Sequence, residues 1–249
     1  MAGSVASIWR HPIKSHGRET LDEVVLTAGE TMPWDRAWAV LHSNAKEDGT
    51  TWARCVNFQR GARIGQLQAI NATLDEASQT VTLTHPQLAP LTFLPDQDQD
   101  AFLSWVKPLV DPDGNQPVKL VRVPNRGMTD TDYPTLSICN PASNAALGAH
   151  LGAELDQGRW RGNIWVDGLS PWEERAWPGQ TLRIGGAEIE VVEEIERCTA
   201  TMANPATGER DADTLAGLRD MQDGSFNFGV YGVVKKSGLI SKGDKVSLI

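Results

Sequence analysis

The sequence predicts a mainly β, α+β fold with a barrel-like architecture. Short segments that are β-branched or alternate between polar and apolar residues dominate the 249-residue chain, and turn residues separate them. No convincing helix of normal length occurs in the first ninety residues, and the βαβ rhythm of a parallel Rossmann sheet is missing. A chain of this length can bury the cores of two small domains, and we predict units at 1–95 and 96–249.

The first unit is predicted as a series of short strands. The segment 78–84 alternates polar and apolar residues, which is typical of a strand with one solvated face. A join rich in Pro and Asp follows, and 101–106 then resembles a short helix with acidic residues in its first turn. The predicted strands are 4–9, 21–26, 37–42, 66–71 and 81–84.

The second unit mixes both element types. Asn140 as N-cap, Pro141 at the first helical position and Gly152 past the end predict a helix over 141–151. A Gly-Gly pair at 185–186 predicts a hairpin turn. The other predicted elements are strands at 163–166, 181–184, 187–192 and 245–249 and a helix at 213–221.

Composition excludes several classes of protein. The chain carries 23 Lys and Arg against 32 Asp and Glu, a net charge of −9, so we expect no nucleic-acid partner. No apolar stretch is long enough to span a bilayer, and the N-terminus lacks an export signal, so we expect a cytoplasmic protein that does not bind membranes. The three cysteines are too widely spaced for a disulfide framework or a zinc ribbon. Gly-rich phosphate loops, nucleophile elbows and zincin motifs are also missing.

Two segments of the first unit carry candidate binding groups. Lys14 and Ser15 follow the opening strand and present an ammonium and a hydroxyl suited to an anion, although a solvated turn has the same pattern. Arg36 lies between two indoles, where it can stack and contact a ligand, or simply form a structural ion pair with Asp35.

Two further segments lie in the second unit. Arg159 and Arg161 are two residues apart, so in an extended segment both point to the same side and can face one anion. Asn163 adds a donor and an acceptor. Arg197 precedes Cys198 and would favour its thiolate if the two groups approach, whereas a cysteine at a strand end is more often a buried small hydrophobe.

Taken in order, these segments resemble the MOSC family, the molybdenum cofactor sulfurase C-terminal domain proteins, preceded by the N-terminal β-barrel module of that family. The resemblance implies an N-terminal MOSC β-barrel domain over 1–95 and a MOSC β-barrel domain with a few short helices over 96–249. Each motif alone is weak, and His11 and Asn204 depart from the usual Tyr and Asp. The matching segments are 11–15, 35–38, 140–143, 159–163 and 197–208.

The resemblance also implies a cofactor site. In the amidoxime-reducing branch of the family, the cysteine that matches Cys198 ligates molybdenum, and polar residues hold the pterin and its phosphate. A soft thiolate suits dithiolene-bound molybdenum, and Arg and Lys suit a phosphate. The molybdenum cofactor is therefore expected to contact Lys14, Ser15, Arg36, Ser143, Arg161, Asn163, Arg197, Cys198 and Tyr231.

The implied activity is the reduction of N-hydroxylated compounds such as amidoximes and N-hydroxylated bases. The sequence has no four closely spaced cysteines for a plant-type ferredoxin cluster, so we expect a separate ferredoxin-, flavodoxin- or cytochrome b5-like donor with its reductase. Two alternatives stay open. Cys198 could carry a persulfide and act as a sulfur carrier, or the chain could bind and deliver the cofactor without turnover.

Overall fold

A computed structural model of the chain describes residues 3–249, so the predicted unit 1–95 begins outside the described residues. Strands outnumber α-helices, which confirms the mainly β, α+β prediction. The helices are α1 (Gln99–Val106), α2 (Pro141–Leu151) and α3 (Thr214–Met221). The strands are β1 (Gly3–Arg10), β2 (Glu19–Leu21), β3 (Glu23–Leu26), β4 (Trp38–His42), β5 (Asn71–Asp75), β6 (Thr80–His85), β7 (Leu88–Phe93), β8 (Pro117–Arg122), β9 (Leu136–Cys139), β10 (Ile164–Asp167), β11 (Thr181–Ile184), β12 (Ala187–Glu196), β13 (Asn227–Lys236), β14 (Gly238–Ser241) and β15 (Lys245–Leu248).

The largest sheet closes into a barrel. Its strand order is β10-β9-β13-β12-β11-β15-β1, and β1 also pairs with β10, so the two ends of the sheet meet. Strand β2 pairs with the last three residues of β1, Ile8 to Arg10. Only the β9–β10 pair is parallel, and the other pairs are antiparallel. Alternate apolar side chains fill the interior, among them Ile8, Ile138, Ile164, Ile189 and Val230.

A second structural module, which differs from the predicted second unit 96–249, packs beside this barrel. It contains the antiparallel pair β4–β8, the three-stranded sheet β5-β6-β7 and helix α1. Its core includes Trp38, Phe93, Phe102 and Leu120, which are all buried. Strand β1 lies before residue 95 but belongs to the barrel, whereas α1 and β8 lie after residue 95 but belong to this core. Each structural module therefore contains elements from both sides of residue 95. The boundary at residue 95 stays a prediction.

Local turn chemistry explains the elements that were predicted well. The β11–β12 hairpin pairs Ile184 with Ala187 across Gly185-Gly186, as expected. At the start of α2, the side chain of Asn140 accepts a hydrogen bond from the backbone N–H of Ala142 at 2.8 Å. Helix α2 ends at Gly152, whose φ of 66° is the left-handed conformation that glycine adopts easily.

Three parts of the first unit differ from the prediction. The strand expected at 21–26 is divided into β2 and β3. The strand expected at 66–71 is wrong, because Gly65–Ala69 forms a 3-10 helix and β5 begins only at Asn71. The Pro-rich join contains β7, which the sequence did not predict. Pro90 is tolerated there because β7 is an edge strand and its pairing with β6 is irregular next to the proline.

No helix within residues 3–249 has the length and apolar character needed to cross a membrane.

Two histidines are completely buried in the loop between β1 and β2. Burial, and then the charge of Arg161, lowers the pKa of His11 to about 3. Burial lowers the pKa of His16 to about 4. In the unfolded chain both rings titrate near their ordinary value of about 6.5. Both histidines are therefore neutral in the folded protein at pH 7 and resist protonation in mild acid.

The free energy of unfolding is expected to fall as the pH drops from 7 to 4.5. The folded pKa values are depressed, so the unfolded chain binds protons that the folded chain refuses, and stability is full above about pH 6.5 and is lost below it. At pH 4.5, two units below the pKa in the unfolded chain, each histidine should lower the free energy of unfolding by about 2–3 kcal/mol. Urea unfolding at stepped pH measures the slope. His16→Gln should remove about half of it, and the exposed His150→Gln should leave it unchanged; equal slopes in all three proteins would contradict the assignment.

Candidate functional site

A cavity of about 280 Å³ lies where loops of the two modules meet, and Cys198 lines it. We call it the cysteine cavity. Its walls carry six cationic side chains against two carboxylates, although the whole chain is acidic. The cations are Lys14, Arg36, Arg60, Arg159, Arg161 and Arg197, and the carboxylates are Asp130 and Glu196.

The backbone of the cavity wall is unusual at three predicted site residues. Ser15, Arg36 and Arg161 have φ values of 64°, 54° and 50°, which is the left-handed region that residues other than glycine seldom adopt. Such conformations cost free energy and tend to cluster at functional sites. The loops therefore hold these three side chains toward the cavity at the expense of local backbone strain.

Lys14 is not the free anion-binding ammonium that the sequence suggested. Its Nζ donates to the Met128 carbonyl oxygen at 2.8 Å and to Asp130 Oδ1 at 2.5 Å. Loss of hydration at the cavity wall would raise the pKa of Asp130, whose side chain is 55% exposed, but Lys14 and Arg36 lower it to about 2. Asp130 was not predicted as a site residue, since a single Asp in a loop carries no local signal.

Arg36 forms the structural ion pair that was left open as an alternative. Its guanidinium donates to Asp35, which is 1% exposed, and its Nη2 donates to the Arg161 carbonyl oxygen at 3.0 Å. Asp35 also accepts the backbone N–H of His11 at 2.8 Å. Burial opposes the charge of Asp35, but Arg36 and the hydrogen bonds from His11 hold its pKa below the usual range. Arg36 thus lines the cysteine cavity, and its hydrogen bonds to Asp35 and to the Arg161 carbonyl oxygen fix the position of its side chain.

The expected extended geometry around Arg159 and Arg161 is wrong. Gln157–Trp160 is a 3-10 helix, so the two guanidinium groups have different surroundings. Arg159 donates to Asp211 Oδ1 at 2.6 Å and to the Met202 carbonyl oxygen at 3.1 Å.

Arg161 is a cation of the cavity wall whose guanidinium has spare donor capacity. Its Nη2 makes only a long contact of 3.4 Å to the Ile13 carbonyl oxygen. Its Nη1 is buried and has no hydrogen-bond partner within residues 3–249. Burial, followed by the charges of Arg36 and Arg18, lowers the pKa of Arg161 to about 9. An anion in the cavity would supply the missing acceptor and offset this repulsion between cations.

The guanidinium of Arg197 makes its hydrogen bonds to groups other than Cys198, so the approach on which a direct effect on that thiol depends is not seen within residues 3–249. Its Nε donates to the Phe228 carbonyl oxygen and its Nη1 to the Trp160 carbonyl oxygen, both at 2.8 Å. Its Nη2 lies 3.7 Å from Sγ of Cys139. Burial raises the pKa of Cys139 to about 12, although Arg197 acts in the opposite direction. Arg197 lines the cavity and connects β13 with the 3-10 helix Gln157–Trp160 through these two hydrogen bonds.

Cys198 is exposed and immediately precedes a short 3-10 helix, Thr199–Met202, that forms one wall of the cavity. The hydroxyl of Thr199 donates to the Ala62 carbonyl oxygen at 3.0 Å, which fastens this wall to the second module. Cys55 lines the same cavity, with its Sγ 3.7 Å from Nη1 of Arg60. No motif in the sequence predicted Cys55 at this position.

Two predicted cofactor residues do not line the cysteine cavity. Ser143 is completely buried; its hydroxyl donates to Glu174 Oε2 at 2.9 Å and accepts the Trp172 N–H at 2.7 Å. Asn163 is 1% exposed, and its Oδ1 accepts the Ser137 N–H at 3.0 Å, which ties the start of β10 to β9. Their polar groups are already bonded within the protein, so both side chains support the cavity wall from outside it, and their contact with a cofactor stays a prediction.

Tyr231 on β13 lines the cavity as predicted, and Gln68 lines it without having been predicted. Burial, and then the nearby charge of Asp130, raises the pKa of Tyr231, so its hydroxyl keeps its proton at neutral pH. Gln68 lies in the 3-10 helix that replaces the strand predicted at 66–71. Because the sequence predicts a strand over this segment, the contact of Gln68 with the cavity was not expected.

The fold and the site define a two-module β protein with an exposed cysteine in a cationic cavity suited to a small anion. The chain belongs to the MOSC family. The MOSC domain model matches residues 128–247, and the model of the MOSC N-terminal beta barrel domain matches residues 2–107.

Several curated proteins are similar to this chain. Mitochondrial amidoxime reducing component 2 of Homo sapiens is 32% identical over 126 residues, which cover 46% of this chain and 37% of that protein. Molybdenum cofactor sulfurase of Drosophila melanogaster is 25% identical over 222 residues, which cover 80% of this chain and 27% of that protein. The chain thus spans little more than a third of the first relative and about a quarter of the second.

Among solved structures, the chain is similar to the YUAD protein from Bacillus subtilis. The TM-score is 0.48 and the sequence identity is 12%, with 100% of this chain and 96% of that chain covered.

Proposed function

We propose that the cysteine cavity binds the molybdenum cofactor and that Cys198 is the thiolate ligand of molybdenum. The observation that carries the proposal is the exposed thiol of Cys198 in the same cavity as the unpartnered donor of Arg161. A dithiolene-bound molybdenum is a soft site that suits a cysteine thiolate, and the terminal phosphate of the pterin suits a guanidinium. Similarity to proteins named for the molybdenum cofactor and for amidoxime reduction supports it.

Each group of the cavity would have a separate task in holding the cofactor. Arg161 would donate to the phosphate, with Ser15 as a hydroxyl donor beside it. Arg36 would add positive charge from a position that Asp35 fixes. Lys14 would act through its ion pair with Asp130 rather than by a free ammonium.

We propose that the reaction is the reduction of small N-oxygenated compounds such as amidoximes and N-hydroxylated bases. The bound cofactor would supply two-electron redox chemistry, and the protein would supply geometry and charge. Breaking the N–O bond consumes two electrons and two protons and releases water. The hydroxyl of Tyr231, which keeps its proton at neutral pH, would donate a hydrogen bond to the substrate oxygen from the cavity wall.

The electrons would come from a separate ferredoxin-, flavodoxin- or cytochrome b5-like protein with its reductase. A cytoplasmic location belongs to the same proposal. The three cysteines are all free, which fits a reducing compartment.

A second candidate function is sulfur transfer. The similarity to molybdenum cofactor sulfurases favours it, because it extends over 80% of this chain. In this function an exposed Cys198 would carry a persulfide, and Cys55 would be a second thiol within the same cavity.

The third candidate is a protein that binds and delivers the cofactor. Such a protein would load molybdenum but would not turn over N-hydroxylated compounds.

Metal and pterin analysis tests the proposal on full-length protein made in a host that synthesises the molybdenum cofactor. We expect about one molybdenum and one pterin per wild-type chain, and reduction of an amidoxime with a supplied reductant. Cys198→Ala should lose molybdenum and activity, whereas the matched Cys55→Ala should keep both. Full molybdenum and activity in Cys198→Ala would make the assignment wrong. A labile sulfur adduct on Cys198 without molybdenum, seen by mass spectrometry, would favour sulfur transfer.

A further inference from the structure

Gln68 is a buried amide at the wall of the cysteine cavity, 1% exposed. Its Nε2 donates to the carbonyl oxygens of Arg159 at 3.2 Å and of Ala200 at 3.0 Å. These carbonyls lie in the two loops that contain the 3-10 helices Gln157–Trp160 and Thr199–Met202. Turning the amide over would set its oxygen against two other acceptors, so the orientation is fixed with the nitrogen toward the loops.

The other end of the amide is unsatisfied. Oε1 of Gln68 is buried and has no hydrogen-bond partner within residues 3–249. Buried acceptors almost always have a partner, so one without a partner calls for an explanation. Since Nε2 already serves both neighbouring loops, the group that Oε1 lacks must come from outside this bonding arrangement.

The same cavity holds unsatisfied groups of the opposite kind. Nη1 of Arg161 and Nε of Arg159 are buried donors without partners within residues 3–249. A ligand that presents acceptors to the arginines and a donor to the glutamine would satisfy all three atoms. A phosphate group alone satisfies only the arginines, whereas a phosphorylated nitrogen heterocycle adds N–H donors for the glutamine and satisfies both.

We propose that Gln68 determines ligand specificity, with Oε1 accepting a hydrogen bond from a ring N–H or amino group of a phosphorylated heterocycle. This inference rests on the proposed function and deepens it, because a pterin carries such a donor edge together with a phosphate. The second module thus contributes a recognition group to a cavity whose cysteine belongs to the other module. Gln68 also fastens the two loops through Nε2, and the test must separate these roles.

The test compares two probes on full-length protein made without the cofactor. GMP carries a 2-amino-pyrimidinone edge like that of a pterin, and ribose 5-phosphate is the same sugar phosphate without the base. Isothermal titration calorimetry measures both affinities, and their ratio cancels changes in phosphate binding. We expect the wild type to prefer GMP and Gln68→Met to lower this preference about tenfold, the loss of one hydrogen bond. The affinity for ribose 5-phosphate should stay within about twofold.

Two further variants separate acceptor loss from loop damage. Gln68→Glu loses the Nε2 bonds but keeps acceptor oxygens, so it should retain the preference for GMP. Gln66→Met is the matched control, because Gln66 lies in the same 3-10 helix and also has a buried, unpartnered Oε1, but it does not line the cavity. It should behave as the wild type.

The pterin content of protein from a cofactor-producing host is the second readout, and Gln68→Met should carry much less pterin than the wild type. An unchanged GMP preference or unchanged pterin content in Gln68→Met would overturn the inference. Equal losses for both probes would show that Gln68 only fastens the loops, and would also overturn it. The failure of the proposed function looks different, since the wild type itself would then carry no pterin from that host.

Discussion

Replacing Asp35 with alanine is expected to lower the free energy of unfolding by about 3–5 kcal/mol, because it leaves a buried charge without its partner. Arg36, with only 12% of its side chain exposed, would lose its counter-ion. The backbone N–H of His11 would lose its acceptor as well. Urea unfolding at pH 7 measures the change.

An exposed ion pair provides the control for this substitution. Asp220 pairs with Arg219, and both side chains are more than half exposed. Asp220→Ala should therefore change stability by no more than about 0.5 kcal/mol. Asp35→Asn, which keeps an acceptor for His11, should fall between the two. A loss below about 1 kcal/mol in Asp35→Ala would show that water reaches Arg36 and replaces the carboxylate.

Replacing Arg161 with methionine is expected to change binding and stability in opposite directions. The affinity for inorganic phosphate should fall about 10- to 100-fold, because a charged hydrogen bond contributes about 1.5–3 kcal/mol. The free energy of unfolding should rise by about 1–2 kcal/mol, since a largely buried cation beside Arg36 and Arg18 is removed and replaced by an apolar side chain. Calorimetry with phosphate and urea unfolding measure the two effects.

The matched control is Arg63→Met, because Arg63 is exposed and does not line the cysteine cavity. We expect little change in either quantity. Weaker phosphate binding together with lower stability in Arg161→Met would indicate that Arg161 only supports the fold. Such a result would remove the main electrostatic argument for a phosphate in the cavity.

Local signals in the sequence predicted some elements well and missed others for physical reasons. The hairpin at Gly185-Gly186 and the capped helix α2 depend on neighbouring residues alone, and both were predicted. Strand β13 was missed because Gly229 and Gly232 suggest a break. A side chain is excluded at Gly229, where a Cβ would lie 2.7 Å from the Ile138 carbonyl oxygen, so the glycine is needed for close strand packing.

The candidate site shows the same division. The order of the motifs was enough to predict that Lys14, Arg36, Arg161 and Cys198 belong together, and the structure places them around one cavity. Side-chain directions could not be predicted, since they depend on tertiary partners that lie far away in the sequence. Arg197 turns toward Cys139, Ser143 toward Glu174 and Arg159 toward Asp211. Gln68 and Asp130 reach the cavity only through such distant contacts.

The position of β1 in the barrel has a consequence for how the chain folds during synthesis. Gly3 pairs with Val246, so β1 leaves the ribosome long before its partner strand β15 is synthesised. Contacts of such long sequence separation form slowly, and until then the edge of β1 is open to wrong pairing. We therefore expect the β5-β6-β7 sheet, whose partners are close in sequence, to form early, and the barrel to close only after synthesis of β15.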